Sequence, residues 1–260
     1  MPTEPFATIQ ELFSSERPED LRRGLELARA EIARLAPSET QRLFELMAVL
    51  FYIDPLDHPE LVPIVDDAVN VIASLGPSII PALLGSLAAG DVKAQLAVAH
   101  ALGRMGVHAV EPLVAAFRAA PDPERQAFLL YALGKIRHPE VAKAVPLALL
   151  AVQAGNLELR DTATRAIGKL AESIAPDALP ETMRVALVEQ MFERLADASA
   201  GVRSKAVRSL GKLAAHGHLT HAERGKLRAA CHRLLGRAER FDWDRAYVVR
   251  REAEAVLRQL

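Results

Sequence analysis

The stretch VRSKAVRSLGKL at residues 202–213 decides the fold, because similar stretches recur along the chain. They are KAQLAVAHALGRMG (93–106), RQAFLLYALGKI (125–136), LRDTATRAIGKL (159–170) and VRREAEAVLRQL (249–260). The shared glycines Gly103, Gly134, Gly168 and Gly211 lie 31, 34 and 43 residues apart. Repeats of this length are typical of stacked helical hairpins, in which each hairpin covers the apolar side of its neighbour.

Each copy has the periodicity of an α-helix. Counted from Val202 as position 0, apolar or small residues fall at positions 0, +4, +7, +8 and +11, which places them on one wide stripe. A residue with a capping side chain precedes most copies, and its oxygen can accept a hydrogen bond from the free N–H groups of a first turn. We therefore predict that the copies are second helices of hairpins, with N-terminal caps at Asp91, Asp122, Asn156, Asp197 and Asp244.

The segments before the copies predict the first helices of the hairpins. Three of them carry a proline at matching depth, at Pro81, Pro112 and Pro146. A proline inside a helix removes one backbone hydrogen bond and bends the helix axis. We therefore expect a bend within these first helices.

The N-terminal part predicts helices at about 5–14, 18–36, 38–53 and 60–75, with Pro18 as a first helical residue and Ser38 with Gln41 as a capping box. The whole chain then has about seven hairpins. We predict an all-α fold, a right-handed α-solenoid that forms a single domain over residues 1–260. Its parts are divergent hairpins (1–75), clear repeats (76–215) and a C-terminal capping hairpin (216–260).

These motifs resemble the HEAT-repeat family, particularly its short phycobilisome-lyase-like form. The resemblance implies the first-helix prolines named above. It also implies a ladder between repeats, made by an Asp and by an Arg of the second helix, here Arg160, Arg203 and Arg250. Gln95 and Gln126 stand at the arginine position of two earlier copies, which leaves the ladder open there.

The amino-acid composition limits the possible fold classes and cellular locations of the protein. Half of the residues are apolar and only 5% are aromatic, which favours packed helices over sheets. A single cysteine excludes an intramolecular disulfide, and no signal peptide is recognisable, so we expect a cytoplasmic protein. The most apolar windows are about eleven residues long, too short to span a membrane, so we expect no membrane partner.

No known catalytic motif occurs. The chain has no P-loop, no G-x-G-x-x-G, no G-x-S-x-G and no H-E-x-x-H, and none of its histidines is followed by glutamate. We therefore predict a protein that is not an enzyme and that uses no cofactor. One group could bind a transition metal, although its spacing matches no zinc pattern and a polar loop is favoured: His216, His218, His221, Cys231 and His232.

A basic stripe is predicted on the concave face, which second helices line. Positions +6 and +10 of each second helix lie about 40° apart around the helix, to one side of the apolar stripe. Across four repeats these positions give seven cations or histidines and one tyrosine, and position +3 adds a lysine. The predicted site residues are His100, Arg104, Tyr131, Lys135, Arg165, Lys169, Lys205, Arg208 and Lys212.

Three functions fit this sequence. The leading hypothesis is a non-enzymatic scaffold that binds a protein partner with an acidic surface, since a basic stripe complements negative charge. The first alternative is nucleic-acid binding through the same stripe, with DNA-glycosylase-like repair chemistry as one form of it. The second alternative, a bilin lyase or phycobilisome-related chaperone, is implied only by the family resemblance. The cations could also serve solubility and the helix dipole alone.

Overall fold

The structure is a computed structural model that describes residues 4–54, 56–87, 91–238 and 243–260. These ranges contain fourteen α-helices and no β-strand, with one isolated bridge between Leu235 and Trp243. In chain order the helices make seven consecutive pairs. The predicted all-α fold with about seven helical repeats is therefore confirmed.

The helices are numbered along the chain, and each pair has a first and a second helix. The first helices are α1 (Glu4–Phe13), α3 (Pro37–Ala48), α5 (Ile80–Ser86), α7 (Val107–Ala119), α9 (Val145–Ala151), α11 (Glu181–Arg194) and α13 (His221–Leu234). The second helices are α2 (Pro18–Glu31), α4 (Val62–Ser74), α6 (Val92–Arg104), α8 (Pro123–Leu133), α10 (Leu157–Ala171), α12 (Ala200–Ala215) and α14 (Tyr247–Leu257).

The chain divides into two compact units, Met1–Ala116 and Phe117–Leu260. In unit 1, helix α4 packs between α2 and α6. In unit 2, the second helices α8, α10, α12 and α14 pack side by side in that order, and α9 packs against α11. Buried apolar residues of the repeat motif form the cores, among them Leu102 in unit 1 and Ile167 and Leu210 in unit 2. One continuous right-handed stack over residues 1–260 stays a prediction.

The recurring glycine allows neighbouring second helices to approach closely. A Cβ atom added at Gly168 of α10 would lie 2.5 Å from Ser209 Oγ of α12. A Cβ added at Gly211 of α12 would lie 2.6 Å from Val256 Cγ2 of α14. At Gly168 the Cα atom of Ser209 would also lie only 2.9 Å away, so a larger residue there would push the helices apart. At Gly211 a methyl group of Val256 would have to move.

Of the three predicted first-helix prolines, one lies at the predicted depth and two do not. Pro112 lies in the interior of α7. Pro81 and Pro146 lie in the first turns of α5 and α9, directly after 3-10 turns at Pro77–Ile79 and Pro139–Ala144. A first turn needs no intrahelical N–H donor, so it accepts proline without losing a hydrogen bond. At these two positions the proline marks a change of helix type.

Three of the five predicted N-terminal caps are confirmed. The side chains of Asp91, Asp122 and Asn156 accept backbone N–H hydrogen bonds at the starts of α6, α8 and α10. The predictions for Asp197 and Asp244 are wrong, because α12 and α14 begin later in the sequence. Ser199 caps α12, and Ala246 is the N-cap residue of α14.

The four N-terminal helices are confirmed with shifted ends. Helix α2 begins at Pro18, as predicted, and both α2 and α3 continue into 3-10 turns, at Ile32–Arg34 and Val49–Tyr52. The capping box of Ser38 and Gln41 is wrong. Helix α3 begins at residue 37, and the backbone N–H of Ala36 donates to Glu39 Oε2 at 2.9 Å.

Within the described ranges no single helix is long and apolar enough to cross a membrane. One helical pair, Pro59–Ser74 with Pro77–Ser86, meets the criteria of length and composition jointly, and it is bent by 104° at its break.

Candidate partner-binding face

A ladder of arginines and aspartates connects the repeats of unit 2. Arg160 Nε donates to Asp197 Oδ2 at 2.8 Å, and Arg203 Nε donates to Asp244 Oδ2 at 2.6 Å. Both carboxylates are nearly buried, with 4% and 7% of their side-chain surface exposed. Burial opposes ionisation of Asp244, but the hydrogen bonds from Arg203 and from the Ala246 N–H outweigh it and lower its pKa.

The same arginines also fix the loop before their own helix. Nη1 of Arg160 donates to Ala154 O at 2.7 Å, and Nη1 of Arg203 donates to Asp197 O at 2.8 Å. Gln126 makes the equivalent bond to Ala120 O and, among the described residues, has no ion pair with a following repeat. The predicted ladder is therefore confirmed at Arg160 and Arg203, where each guanidinium fixes a loop and carries a charge to the next repeat.

The guanidinium of Arg250 contacts an aromatic ring, where those of Arg160 and Arg203 contact an aspartate of the next repeat. Its Nη1 donates to Asp244 O at 2.6 Å, as in the other repeats. Its guanidinium lies over the ring of Trp243, 4.4 Å from the centroid, in a cation–π contact. The predicted ladder role of Arg250 thus holds only for its own loop.

The predicted stripe forms one continuous surface within unit 2. Arg165 and Lys135 both contact the ring of Tyr131, at 5.5 Å and 4.7 Å from its centroid. Arg165 also lines a pocket together with cations of α12. We call this surface the second-helix face and define it by Tyr131, Lys135, Arg165, Lys169, Lys205, Arg208 and Lys212.

Two of the predicted site residues belong to unit 1. His100 of α6 lines a mainly apolar groove of about 200 Å³ against α4, together with Val65, Val69 and Leu96. Arg104 Nη1 donates to the backbone oxygen of Asp66 at 2.8 Å. The structure therefore establishes the shared surface for three repeats, those of α8, α10 and α12.

Carboxylates that the sequence analysis did not include lie among these cations. Lys205 forms an ion pair with Asp161 of α10. Arg208 donates two hydrogen bonds to Glu252 of α14, at 2.9 Å and 2.5 Å. The second-helix face is therefore a network of opposite charges with a positive excess, and its side chains are held in place.

Glu172 is shared by three cations. Its carboxylate lies 2.7 Å from Lys212, 3.2 Å from Lys169 and 2.9 Å from Arg137. Burial tends to raise the pKa of Glu172, but the hydrogen bond and charge of Lys212 and those of Lys169 lower it overall. The pKa of Lys212 is lowered, because burial and the neighbouring Lys169 outweigh Glu172. Positive charge is therefore in excess around this one carboxylate.

Lys135 and Arg165 carry charge that no carboxylate neutralises in the described part of unit 2. Neither of them has an acidic group within ion-pair distance there; both instead contact Tyr131. A pocket of about 120 Å³ opens beside them between α8 and α10, with Arg137 and Lys169 in its lining. Arg165 and Lys169 also line the pocket of about 290 Å³ between α10 and α12, so the two pockets are adjacent.

The histidines and the cysteine near residue 220 do not converge. His218 is buried, with Nε2 3.2 Å from Ala171 O, and burial lowers its pKa. Cys231 is also buried, which raises the pKa of its thiol to about 11 and makes it a poor ligand and nucleophile. His216 and His221 are exposed. No three metal-ligating side chains of the described ranges form a group that could hold an ion.

The missed carboxylates had signals in the sequence. Glu172 follows Lys169 by three residues, a spacing that brings side chains together on a helix. Glu252 occupies position +3 of its copy, the same position as Lys205. The pairing itself had no such signal, because Glu252 at position +3 pairs with Arg208 at position +6 of the preceding copy.

No protein-family model and no curated protein matches the chain. A solved HEAT-like repeat protein from Thermococcus onnurineus NA1 is 14% identical, with a TM-score of 0.52 over 100% of this chain and 97% of that one. Kap95p, solved with RanGDP, is 16% identical, with a TM-score of 0.60 over 98% of this chain and 35% of that one. An engineered protein is 17% identical, with a TM-score of 0.51 over 99% and 96% of the two chains. The phycobilisome-lyase-like form stays a prediction, and the chain has the fold of HEAT-like helical repeat proteins.

Proposed function

We propose that this protein is a non-enzymatic scaffold that binds an acidic segment of a protein partner along the second-helix face. The observation that carries the proposal is the positive charge of Lys135 and Arg165 beside Tyr131, which no carboxylate in the described ranges neutralises. A partner carboxylate can contact these cations without displacing an acidic group of the scaffold. Kap95p, which shares this fold, binds RanGDP, so a protein ligand is in keeping with the architecture.

The network behind this surface favours binding because it reduces the cost of ordering side chains. Lys205, Arg208 and Lys212 are each held by a carboxylate. Side chains that are already fixed lose little conformational entropy when a ligand arrives. Tyr131 adds a partly exposed aromatic ring, a residue type that is common at protein interfaces.

The acidic residues on the face favour a protein partner over nucleic acid. Asp161, Glu172 and Glu252 lie between the cations of neighbouring helices. A polynucleotide carries closely spaced negative charges, and those that lie near these carboxylates would be repelled by them. An acidic peptide places its charges on separate side chains that can be directed to the cations alone. No observation on the described residues favours a bilin-related role.

The proposal is tested by reversing the charges that have no internal partner. Affinity purification from the source cells is compared for the wild type and the double variant Lys135→Glu, Arg165→Glu. Because neither residue pairs with a carboxylate in the part of the chain that the structure describes, reversal leaves the described ion pairs intact. We expect recovery of the specific partner to fall at least about tenfold, the effect of losing one strong charged contact.

The matched control places the same change on first helices. The double variant Arg118→Glu, Lys226→Glu alters exposed cations of α7 and α13 that lie outside the second-helix face. We expect it to recover the partner as the wild type does. Equal recovery by both double variants would contradict the proposed face, and a salt-dependent shift of duplex DNA with a steep slope would favour the nucleic-acid alternative.

A further inference from the structure

The pocket between α10 and α12 has an unusual concentration of positive charge. Its volume is about 290 Å³, and every lining residue except Ser209 is a cation. The Ser209 hydroxyl donates to Thr164 O at 2.7 Å, so its proton is used inside the protein. The cations of the lining are Arg165, Lys169, Lys205, Arg208 and Lys212.

The acidic groups around the pocket neutralise only part of this charge. Asp161 pairs with Lys205, and Glu252 pairs with Arg208. Lys169 and Lys212 share the single charge of Glu172, which Arg137 contacts as well. Arg165 has no acidic partner among the residues that the structure describes. The lining thus retains an excess of about two positive charges, counted from these pairs.

An excess of two charges fits a phosphate monoester better than a carboxylate. A phosphorylated side chain carries about −1.5 to −2 charges at pH 7 and three acceptor oxygens. A carboxylate carries one charge and two oxygens. Donors remain available in the pocket, because Arg208 uses Nε and Nη2 on Glu252 and leaves Nη1 outside that pair. The guanidinium of Arg165 forms no ion pair in the described ranges.

We propose that this pocket binds the phosphate group of a phosphorylated serine or threonine on the protein partner. The inference rests on the proposed function for the protein nature of the ligand. The adjacent pocket between α8 and α10 lies about 10 Å away, the spacing of neighbouring helices. Three residues of extended chain span about 10 Å. An acidic residue three positions from the phosphorylated one therefore reaches Lys135 and Arg137.

The test uses isothermal titration calorimetry with a synthetic Gly/Ser-rich peptide that contains one phosphoserine and a Glu three residues later. We expect this peptide to bind at least about tenfold more tightly than the same peptide with unmodified serine. It should also bind more tightly than inorganic phosphate. Affinity should be higher at pH 7.5 than at pH 5.5, because the second ionisation of the phosphate occurs near pH 6.

Two variants locate the binding in this pocket. Arg165→Gln removes a charge that pairs with no described carboxylate, so the fold should be unaffected, and phosphopeptide affinity should fall about tenfold. Lys212→Gln keeps an N–H donor for Glu172 and should give a similar loss. Arg118→Gln, on α7, is the matched control and should leave the affinity unchanged.

The outcomes separate this inference from the proposed function. Equal affinity for the phosphorylated and unmodified peptides would overturn the phosphate site and leave the acidic-partner proposal standing. Unchanged phosphopeptide affinity in both Arg165→Gln and Lys212→Gln would also overturn it. Inorganic phosphate that binds as tightly as the phosphopeptide would overturn the assignment to a protein side chain.

Discussion

The groove between α4 and α6 and the pocket between α10 and α12 occupy equivalent places, each between consecutive second helices. The first is about 200 Å³ and is lined mainly by apolar residues such as Val69 and Leu96. The second is about 290 Å³ and is lined by cations such as Lys169 and Lys212. In both places the buried positions of the second helices are apolar or small, whereas the solvent-facing positions carry different types of side chain. Binding chemistry therefore has to be established separately for each repeat.

The two regions also differ in how the loop before the second helix is held. In unit 1, Gln95 Nε2 donates a neutral hydrogen bond to Leu87 O at 3.1 Å. In unit 2, Arg203 donates to Asp197 O and also forms the charged pair with Asp244. The charged ladder should therefore contribute more to stability than the glutamine contact.

The largest effect is expected for Arg203→Met. This change leaves the nearly buried Asp244 without its partner and should lower the free energy of unfolding by about 3 kcal/mol. Gln95→Met should lower it by about 1 kcal/mol, since it removes a neutral contact. Urea denaturation followed by circular dichroism measures both, and the fluorescence of Trp243, the single tryptophan, reports on unit 2. Equal losses would contradict the difference between the regions.

A smaller effect tests the close packing of the second helices. Gly168→Ala should lower the free energy of unfolding by about 2 kcal/mol, because the new Cβ would meet Ser209 at 2.5 Å. Gly225→Ala is the same change in α13 at an open position and should raise it by about 0.8 kcal/mol. Thermal denaturation measures both. A stabilising Gly168→Ala would refute the assigned role of the motif glycine.

The third effect is a pH dependence located in unit 2. Burial lowers the pKa of His218, so the unfolded chain binds a proton more readily than the folded one below about pH 6.5. The free energy of unfolding should therefore fall by about 1 kcal/mol between pH 7.5 and pH 5.5. His218→Gln should reduce this loss, whereas His216→Gln, an exposed imidazole in the same loop, should retain it. Equal pH slopes for both variants would exclude His218 as the cause.

The smallest effect is expected at the surface of unit 1. Arg104 and Asp66 are joined by an exposed ion pair at 3.8 Å and by the hydrogen bond from Arg104 Nη1 to Asp66 O. Arg104→Met should change the free energy of unfolding by no more than about 0.5 kcal/mol. The value is measured by urea denaturation beside Arg203→Met. If Arg104→Met lowered the free energy of unfolding as much as Arg203→Met does, the exposed and the buried ion pair would contribute equally, which contradicts this prediction.

The sequence predicted the elements that depend on local periodicity. The helices and the repeats follow from residues at fixed spacing, and the ladder arginines Arg160 and Arg203 were implied by the resemblance to HEAT repeats; all of them were found. The capping box at Ser38 failed because the N-cap residue of α3 is Ala36, two residues earlier. The prediction for Asp244 failed because a cap and a ladder acceptor use the same residue type, and only tertiary contacts decide between them.

The candidate site could be predicted only in part. The positions of Arg165 and Lys169 on one face followed from helical geometry, since both lie on the same helix. The partners Asp161 and Glu252 depend on the register between helices, which a single sequence does not specify. The excess positive charge of the pocket is the number of its cations minus the number of carboxylates that pair with them. It can therefore be counted only in the folded chain.

Binding of partners at the second-helix face can be located by site-specific photo-crosslinking in the source cells. A photoreactive amino acid is placed either at Thr162 of α10, which lines the pocket beside Tyr131, or at Lys226 on the exposed side of α13. We expect a specific crosslinked adduct from position 162 and none from position 226. An adduct from position 226 alone would contradict binding at this face.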